Sequence, residues 1–275
     1  WIRAAPGKRI AAVVVRVEPL PEAVGKLEAK LERWFEPESL ACAWVLDRAA
    51  VIAGDFRVDE SGQMRFALFV DPKTGPGRIG RIVHRLCEIE TYRAMSMLGL
   101  GRARSLSARL NALDPKLSAL TEAMTRDDAP AEDLLDELLS VSAELETLAT
   151  QHSFRFGATG AYEALVTTRI GALREERYEG RQKFSEFMLR RYDPAMRTVK
   201  SAEKRLSEML TRAARAGELL RTRVDVERQA QNQKLLESMD KRSDLQLRLQ
   251  HTVEGLSVVA ISYYAVSLAG GLPSS

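Results

Sequence analysis

One string in this chain has the spacing of a binding motif. Gly75-Pro76-Gly77-Arg78-Ile79-Gly80 matches G-x-G-x-x-G, after a strand-like run and at the start of a helical one. Its chemistry would be backbone N–H groups at a helix N-terminus receiving a phosphate, with Lys73, Arg78 and Arg81 nearby. The dinucleotide fingerprint also requires a second parallel strand ending in an acid roughly twenty residues on. Here Glu88 to Met95 keeps a helical pattern, so a flexible strand-to-helix turn accounts for the same letters. Gly75, Gly77, Gly80 and Arg78 are the candidate phosphate-binding residues.

Other chemistry is sparse. His84 and Glu88 share a helix face at i,i+4 with Cys87 beside them, which is part of a metal site or a surface ion pair. His152 stands alone in what looks like a loop, and His251 lies close to an apolar terminus. No Ser-His-Asp arrangement, acid pair or metal signature stands out, so neither catalytic residues nor a cofactor are expected. A polar interruption, Glu227 to Gln233, falls where the last helix's apolar seam should continue and puts Glu227 and Gln231 at core positions. Buried amides there fix register or oligomeric state. The sharper alternatives are a hydrated passage between packed helices, or a hinge.

The elements that position these residues change character at Gly75. Before it come β-branched runs: Arg9 to Val17, Leu40 to Leu46, Ala50 to Val58 and Met64 to Val70, with a helix from Pro21 and a hairpin connection at Asp59 to Gly62. One helix on about four strands is a small α+β module with a largely antiparallel sheet. After Gly75 the apolar residues follow heptads. Ile79, Ile82, Leu86 and Ile89 lead into Leu106, Leu110, Leu113, Leu117, Leu120 and Met124, with Pro115 expected to kink or divide that helix. Beyond the break at Asp127 to Pro130, Leu134, Leu138, Val141, Leu145 and Leu148 form the returning arm of a hairpin. His152 to Gly157 is expected to separate that arm from a third helix, which Gly180 bends. Asp193 as N-cap and Pro194 at the first helical position open a terminal helix on the order of 110 Å long. Its stripe is Val199, Leu206, Leu210, Ala213, Gly217, Leu220 and Val224, then Leu235, Leu249, Val253 and Leu256.

The predicted division is a module at 1–75, helical arms at 76–192, a stalk at 193–254 and a membrane segment from 255 to 275. From Gly255 to Ser275 no residue is charged, about 30 Å of helix, and Lys241, Arg242 and Arg248 precede it on the cytosolic side. Leu256, Val259, Ile261, Tyr263 and Tyr264 would lie in the bilayer. A net charge of +3 with interspersed signs gives no case for nucleic acid, and the two cysteines, Cys42 and Cys87, have the spacing of neither redox nor metal motifs. A start at Trp1 and an end just past the apolar run suggest a fragment of a longer chain.

Several motifs are familiar. Glu88 to Arg93, Phe154 to Phe156, Pro194 to Thr198, Leu220 to Val224 and Leu247 to Ser257 resemble an uncharacterised bacterial family of predicted membrane-anchored proteins, a domain of unknown function. The resemblance implies a place at the inner membrane with the remainder facing the cytosol, and carries no known activity or site residues. More loosely, the layout is similar to CorA-type magnesium transporters, although their Gly-Met-Asn signature is absent from these residues. The expected function is therefore a membrane-anchored, oligomeric helical scaffold that contacts lipid, itself and other proteins. The alternative is the cytosolic domain and stalk of a CorA-like cation channel, with Mg2+ as its ion.

Overall fold

The computed structural model describes residues 7–126 and 129–269. Strands β1 (Val13–Pro19), β2 (Ala41–Val45), β3 (Ala50–Val58), β4 (Met64–Val70) and β5 (Glu176–Arg177) form one sheet in the order β1-β4-β3-β2-β5. Helix α1 (Val24–Trp34) follows β1, and three long helices follow β4: α2 (Pro76–Arg126), α3 (Ala131–Gly171) and α4 (Phe184–Ala269). The architecture is mixed α+β, a sheet-bearing N-terminal region followed by a predominantly helical body. The sheet is antiparallel except for β1, which lies parallel to β4 with Val13 opposite Met64 and Pro19 opposite Val70. The two-residue strand β5 comes from beyond the helical hairpin and pairs Ala43 with Arg177. Its shortness left no alternation for the sequence to display.

Residue alternation explains which face α1 covers. Cys42 pairs with Ala53, Ala53 with Ala67, and Val51 with Phe69, so one sheet face carries all of these side chains. Leu27 and Leu31, one helical turn apart, close over them together with Phe35 and Tyr178. Each of those leucines is fully buried, about 1.5–3 kcal/mol of transfer free energy apiece. The opposite face holds Phe66, whose ring meets Phe184 at the start of α4 with centroids 5.6 Å apart. Gly54 makes room for it, because a Cβ there would lie 2.6 Å from Phe66 Cδ1.

The chain divides into two compact units, Trp1–Ser118 with Ser140–Ala213, and Ala119–Leu139 with Ala214–Ser275. In the first, Arg85 donates to Ala172 O, Arg169 pairs with Glu88 and Arg109 with Glu144, so α2 and α3 run antiparallel. Tyr192 bonds Ser96, and Arg212 bonds Asp114, which sets α4 parallel to α2. In the second, Arg223 donates to Met124 O and Arg228 pairs with Glu132. The leucines of both hairpin seams, Leu106 to Leu120 and Leu134 to Leu148, are buried.

Several expectations need correction. Pro115 does not divide α2, which runs as one helix across it. Two α4 arginines hold the turns on either side of it, Arg205 bonding Asn111 and Asp114, and Arg212 bonding Asp114 and Ser118. His152 to Gly157 is not a loop; α3 continues through it because His152 and Phe156 are both buried and stack at i,i+4. The last helix starts at Phe184 rather than at Asp193-Pro194. Glu175 receives the Ser185 N–H and Glu186 receives the Lys183 N–H, satisfying first-turn donors nine residues earlier than a proline rule suggests. Along α4 the buried stripe is Val199, Ala202, Leu206, Met209, Ala213, Ala216, Leu220 and Val224, so Met209 and Ala216 take the places expected of Leu210 and Gly217.

The last correction concerns the membrane. No helix among the described residues is long and apolar enough to cross one, which overturns the membrane segment and the inner-membrane location. The physical reason is visible in α4. The uncharged part that is described, 255–269, rises only about 22 Å, against roughly 30 Å of hydrocarbon, and it is diluted by Gly255, three serines and two tyrosines. Residues 270–275 of the expected segment lie outside the described residues.

Candidate functional site

The glycine-rich turn sits where two parallel strands end. β4 runs into Asp71 and Pro72, Thr74 N–H bonds Asp71 O, and α2 begins at Pro76 with Gly77 and Gly80 in its first turns. A cavity opens there between Val17, Glu18 and Pro19 of β1 and Val70, Asp71, Thr74 and Ile79. Its charge does not suit a phosphate. Glu18 and Asp71 both line it, and the hydrogen bond from Lys30 holds the Glu18 carboxyl below its ordinary range, hence ionised, with Arg16 adding to the effect. Arg78 turns the other way, donating to Leu46 O at 2.9 Å and to Asp47 at 3.3 Å. It thereby braces the β2–β3 turn, where Leu46, Asp47 and Arg48 all have positive φ. The four residues are adjacent in space, but the arginine does not point its charge into the cavity.

The histidines divide cleanly. His84 Nδ1 lies 3.4 Å from Glu88, which also pairs with Arg169, so this turn is an ion-pair cluster. Among the described residues no group of three His, Cys, Asp or Glu side chains gathers as a metal site would need. His152 is buried with Nδ1 lacking a partner, and burial, aided by Arg102, lowers its pKa. The side chain of His251 lies outside the described residues. Both cysteines are free thiols; burial pushes Cys42 up to about 12 and raises Cys87 as well.

Sequence reasoning missed a buried polar cluster between the long helices. On α2, Glu90 is buried and receives two bonds from Arg93, at 2.7 and 2.6 Å. Tyr192 of α4 donates to Ser96 Oγ at 2.7 Å, and Ser96 Oγ donates to Arg93 O at 2.8 Å. Thr159 of α3 approaches the same turn and donates to Arg155 O at 2.9 Å. Burial raises the Tyr192 pKa, so its phenol stays a donor. Partners 63 and 96 residues apart leave no local spacing to find.

The remaining candidate is α4 beyond the hairpin. Glu227 is half-buried and receives Arg223 at 2.9 Å, whereas Gln231 is exposed. From position 228 every α4 residue whose burial is described is exposed. Leu235, Leu245, Leu249, Val259, Ile261 and Tyr263 stand open on this stretch, Leu249 at 70%. The side chains of Leu256 and Tyr264 lie outside the described residues. This stretch gathers many of the exposed large apolar side chains among the described residues.

Comparison with known proteins adds little about activity. No curated protein matches the chain. Among solved structures, the crystal structure of AtBAG1 in complex with HSP70 is similar at 11% identity, over 75% of this chain and 97% of that one, with a TM-score of 0.26. At that score the likeness carries no argument about fold or partner, and the likeness to CorA-type transporters is not shown. A family model described as a protein of unknown function, DUF3422, matches residues 1–274. The chain is therefore a member of the DUF3422 family.

Proposed function

We propose that this protein is a self-assembling helical scaffold, in which the exposed part of α4 is the surface that copies of the chain use to associate. One observation carries the reading. Past Val224, α4 continues for dozens of residues with large apolar side chains open to water on several faces, among them Leu235, Leu236, Leu245 and Leu249. A single helix is marginal in water unless a partner covers an apolar face, and one that is apolar on several sides is normally buried. Leu235, Leu245, Leu249, Val259 and Tyr263 alternate between the two positions of one heptad seam, separated by steps of ten and four. A second copy brings an identical seam, so self-association covers it without a further partner. Glu227 and Gln231 stand at the entrance of that seam and are suited to fixing its register.

Amide hydrogen exchange of the intact chain tests this directly. Residues 231–265 should exchange more slowly as protein concentration rises, and the pair Leu245→Glu and Leu249→Glu should remove that protection. Fast exchange in this segment at every concentration, unchanged by the substitutions, contradicts the reading.

A further inference from the structure

The first turns of α4 border an open cleft whose charged lining is entirely cationic. Phe56, Met97, Phe187 and Met188 form apolar walls, Tyr192 closes one side, and Arg93 and Arg191 supply the charge. Phe187 lies stacked on Phe56, centroids 4.7 Å apart and planes within 12°. The Arg191 guanidinium sits over the same Phe187 ring, 4.7 Å from its centroid. No carboxylate pairs with Arg191 among the described residues, so its donors face outward unsatisfied by protein.

Arg93 is set from behind. Its Nε and Nη2 bond Glu90, which is buried, and this leaves Nη1 without a protein acceptor among the described residues. Tyr192, anchored on Ser96, holds the floor between α2 and α4. The strand side is equally fixed. Phe56 has φ +54°, a left-handed conformation that a bulky aromatic rarely adopts. It occurs in the irregular stretch of β3 between Gly54 and Val58, and Asp55 pins the kink by accepting the Arg57 N–H and an Arg65 guanidinium N–H. The chain thus maintains an unfavourable backbone to present the Phe56 ring to Phe187. Strain of that kind, held by its surroundings beside a cleft, is a pointer to use.

We propose that this cleft binds a small planar organic anion, an aromatic carboxylate in chemical class. A flat body can lie against the guanidinium plane of Arg191, as arginine stacks on aromatic faces. The thioethers of Met97 and Met188 adapt their shape to an aromatic edge. The carboxylate is then placed to accept from Arg191 and from Arg93 Nη1, both charge-assisted bonds. An inorganic anion gains the charge but leaves the apolar walls wet, and a neutral ring gains the walls but leaves the Arg191 charge unanswered. The cleft shares no residue with the glycine-rich turn or with the exposed part of α4, so it stands independently of the assembly reading.

Calorimetry on the intact chain with benzoate, benzamide and inorganic phosphate separates these cases. Benzoate should bind, with benzamide and phosphate each at least about tenfold weaker, a difference of roughly 1.4 kcal/mol. Arg191→Ala should weaken benzoate about tenfold or more, and Arg191→Lys, which keeps charge but loses the flat face, should fall between. Arg191 is an exposed residue whose one ring contact is Phe187, and the helix content and melting temperature of each variant check that the fold is retained. No heat with benzoate up to about 10 mM, equal binding of benzoate and benzamide or phosphate, or an Arg191→Ala variant that binds as the parent does would each overturn the proposal.

Discussion

Gly99 on α2 lies directly against Thr159 on α3. A Cβ at Gly99 would stand 2.3 Å from Thr159 Oγ1, 3.0 Å from its Cγ2 and 3.1 Å from its Cβ, so no rotation of the threonine relieves the clash. A glycine in a helix interior costs about 1 kcal/mol relative to alanine, and here close helix approach outweighs it. Gly99→Ala should therefore destabilise the chain by about 1–3 kcal/mol, as overpacking does. Urea titration followed by far-UV circular dichroism measures it. Adding Thr159→Ala should recover part of the loss; a Gly99→Ala protein as stable as the parent would refute the close approach.

Asp114 joins α2 to two arginines of α4, 3.0 Å from Arg205 and 2.9 Å from Arg212. These bonds hold its carboxyl below the ordinary aspartate range. The stability it contributes is present above about pH 4 and is lost as pH falls through the depressed pKa. Asp114→Ala should cost on the order of 1 kcal/mol at neutral pH, the scale of a partly exposed charge pair with two partners. It should also increase hydrogen exchange around Pro115, since the clamp holds the turn that the proline weakens. No change in exchange there would show that α2 crosses Pro115 unaided.

His152 gives the fold an acid sensitivity. Burial, with Arg102 nearby, lowers its pKa below 6.5, so the unfolded chain binds the proton more readily. Its contribution to stability is complete above about pH 6.5 and declines as pH falls below that value. Denaturant midpoints should drop between pH 7 and pH 5, and His152→Phe, which preserves the stack on Phe156, should flatten that slope. A slope unchanged by the substitution would place the acid sensitivity elsewhere.

The two thiols should differ in reactivity. Cys42 is fully buried in β2 with its pKa pushed up to about 12, whereas Cys87 is half-buried on α2 with a smaller rise. Thiol labelling at pH 8 should modify Cys87 slowly and Cys42 only on unfolding, because the thiolate is the reacting species. Mass spectrometry after timed labelling distinguishes the two sites, and early modification of Cys42 would contradict its place under α1.

Much of the scaffold was legible because it repeats. β3 and β4 fall at their expected bounds, 50–58 and 64–70, since alternation and the turn before Gly62 mark both ends. The hairpin seams of α2 and α3 were visible as leucine heptads. The misses are places where tertiary partners override local signals. Pro115 sits inside a helix beside the Asp114 clamp, His152 is held by Phe156, and Asp193-Pro194 lies within α4 because Glu175 caps it earlier. The candidate cleft was illegible for a related reason. Phe56, Arg93 and Arg191 come from three elements far apart in sequence, and no spacing announces them.

Self-association through α4 is the central claim, and the mass of the chain in solution tests it most directly. Light scattering coupled to size exclusion should give at least twice 30.6 kDa at micromolar concentrations. The Leu245→Glu, Leu249→Glu pair should bring that mass down to 30.6 kDa while helix content in the rest of the chain is kept. A mass of 30.6 kDa for the unmodified chain across a hundredfold range of concentration would contradict the account.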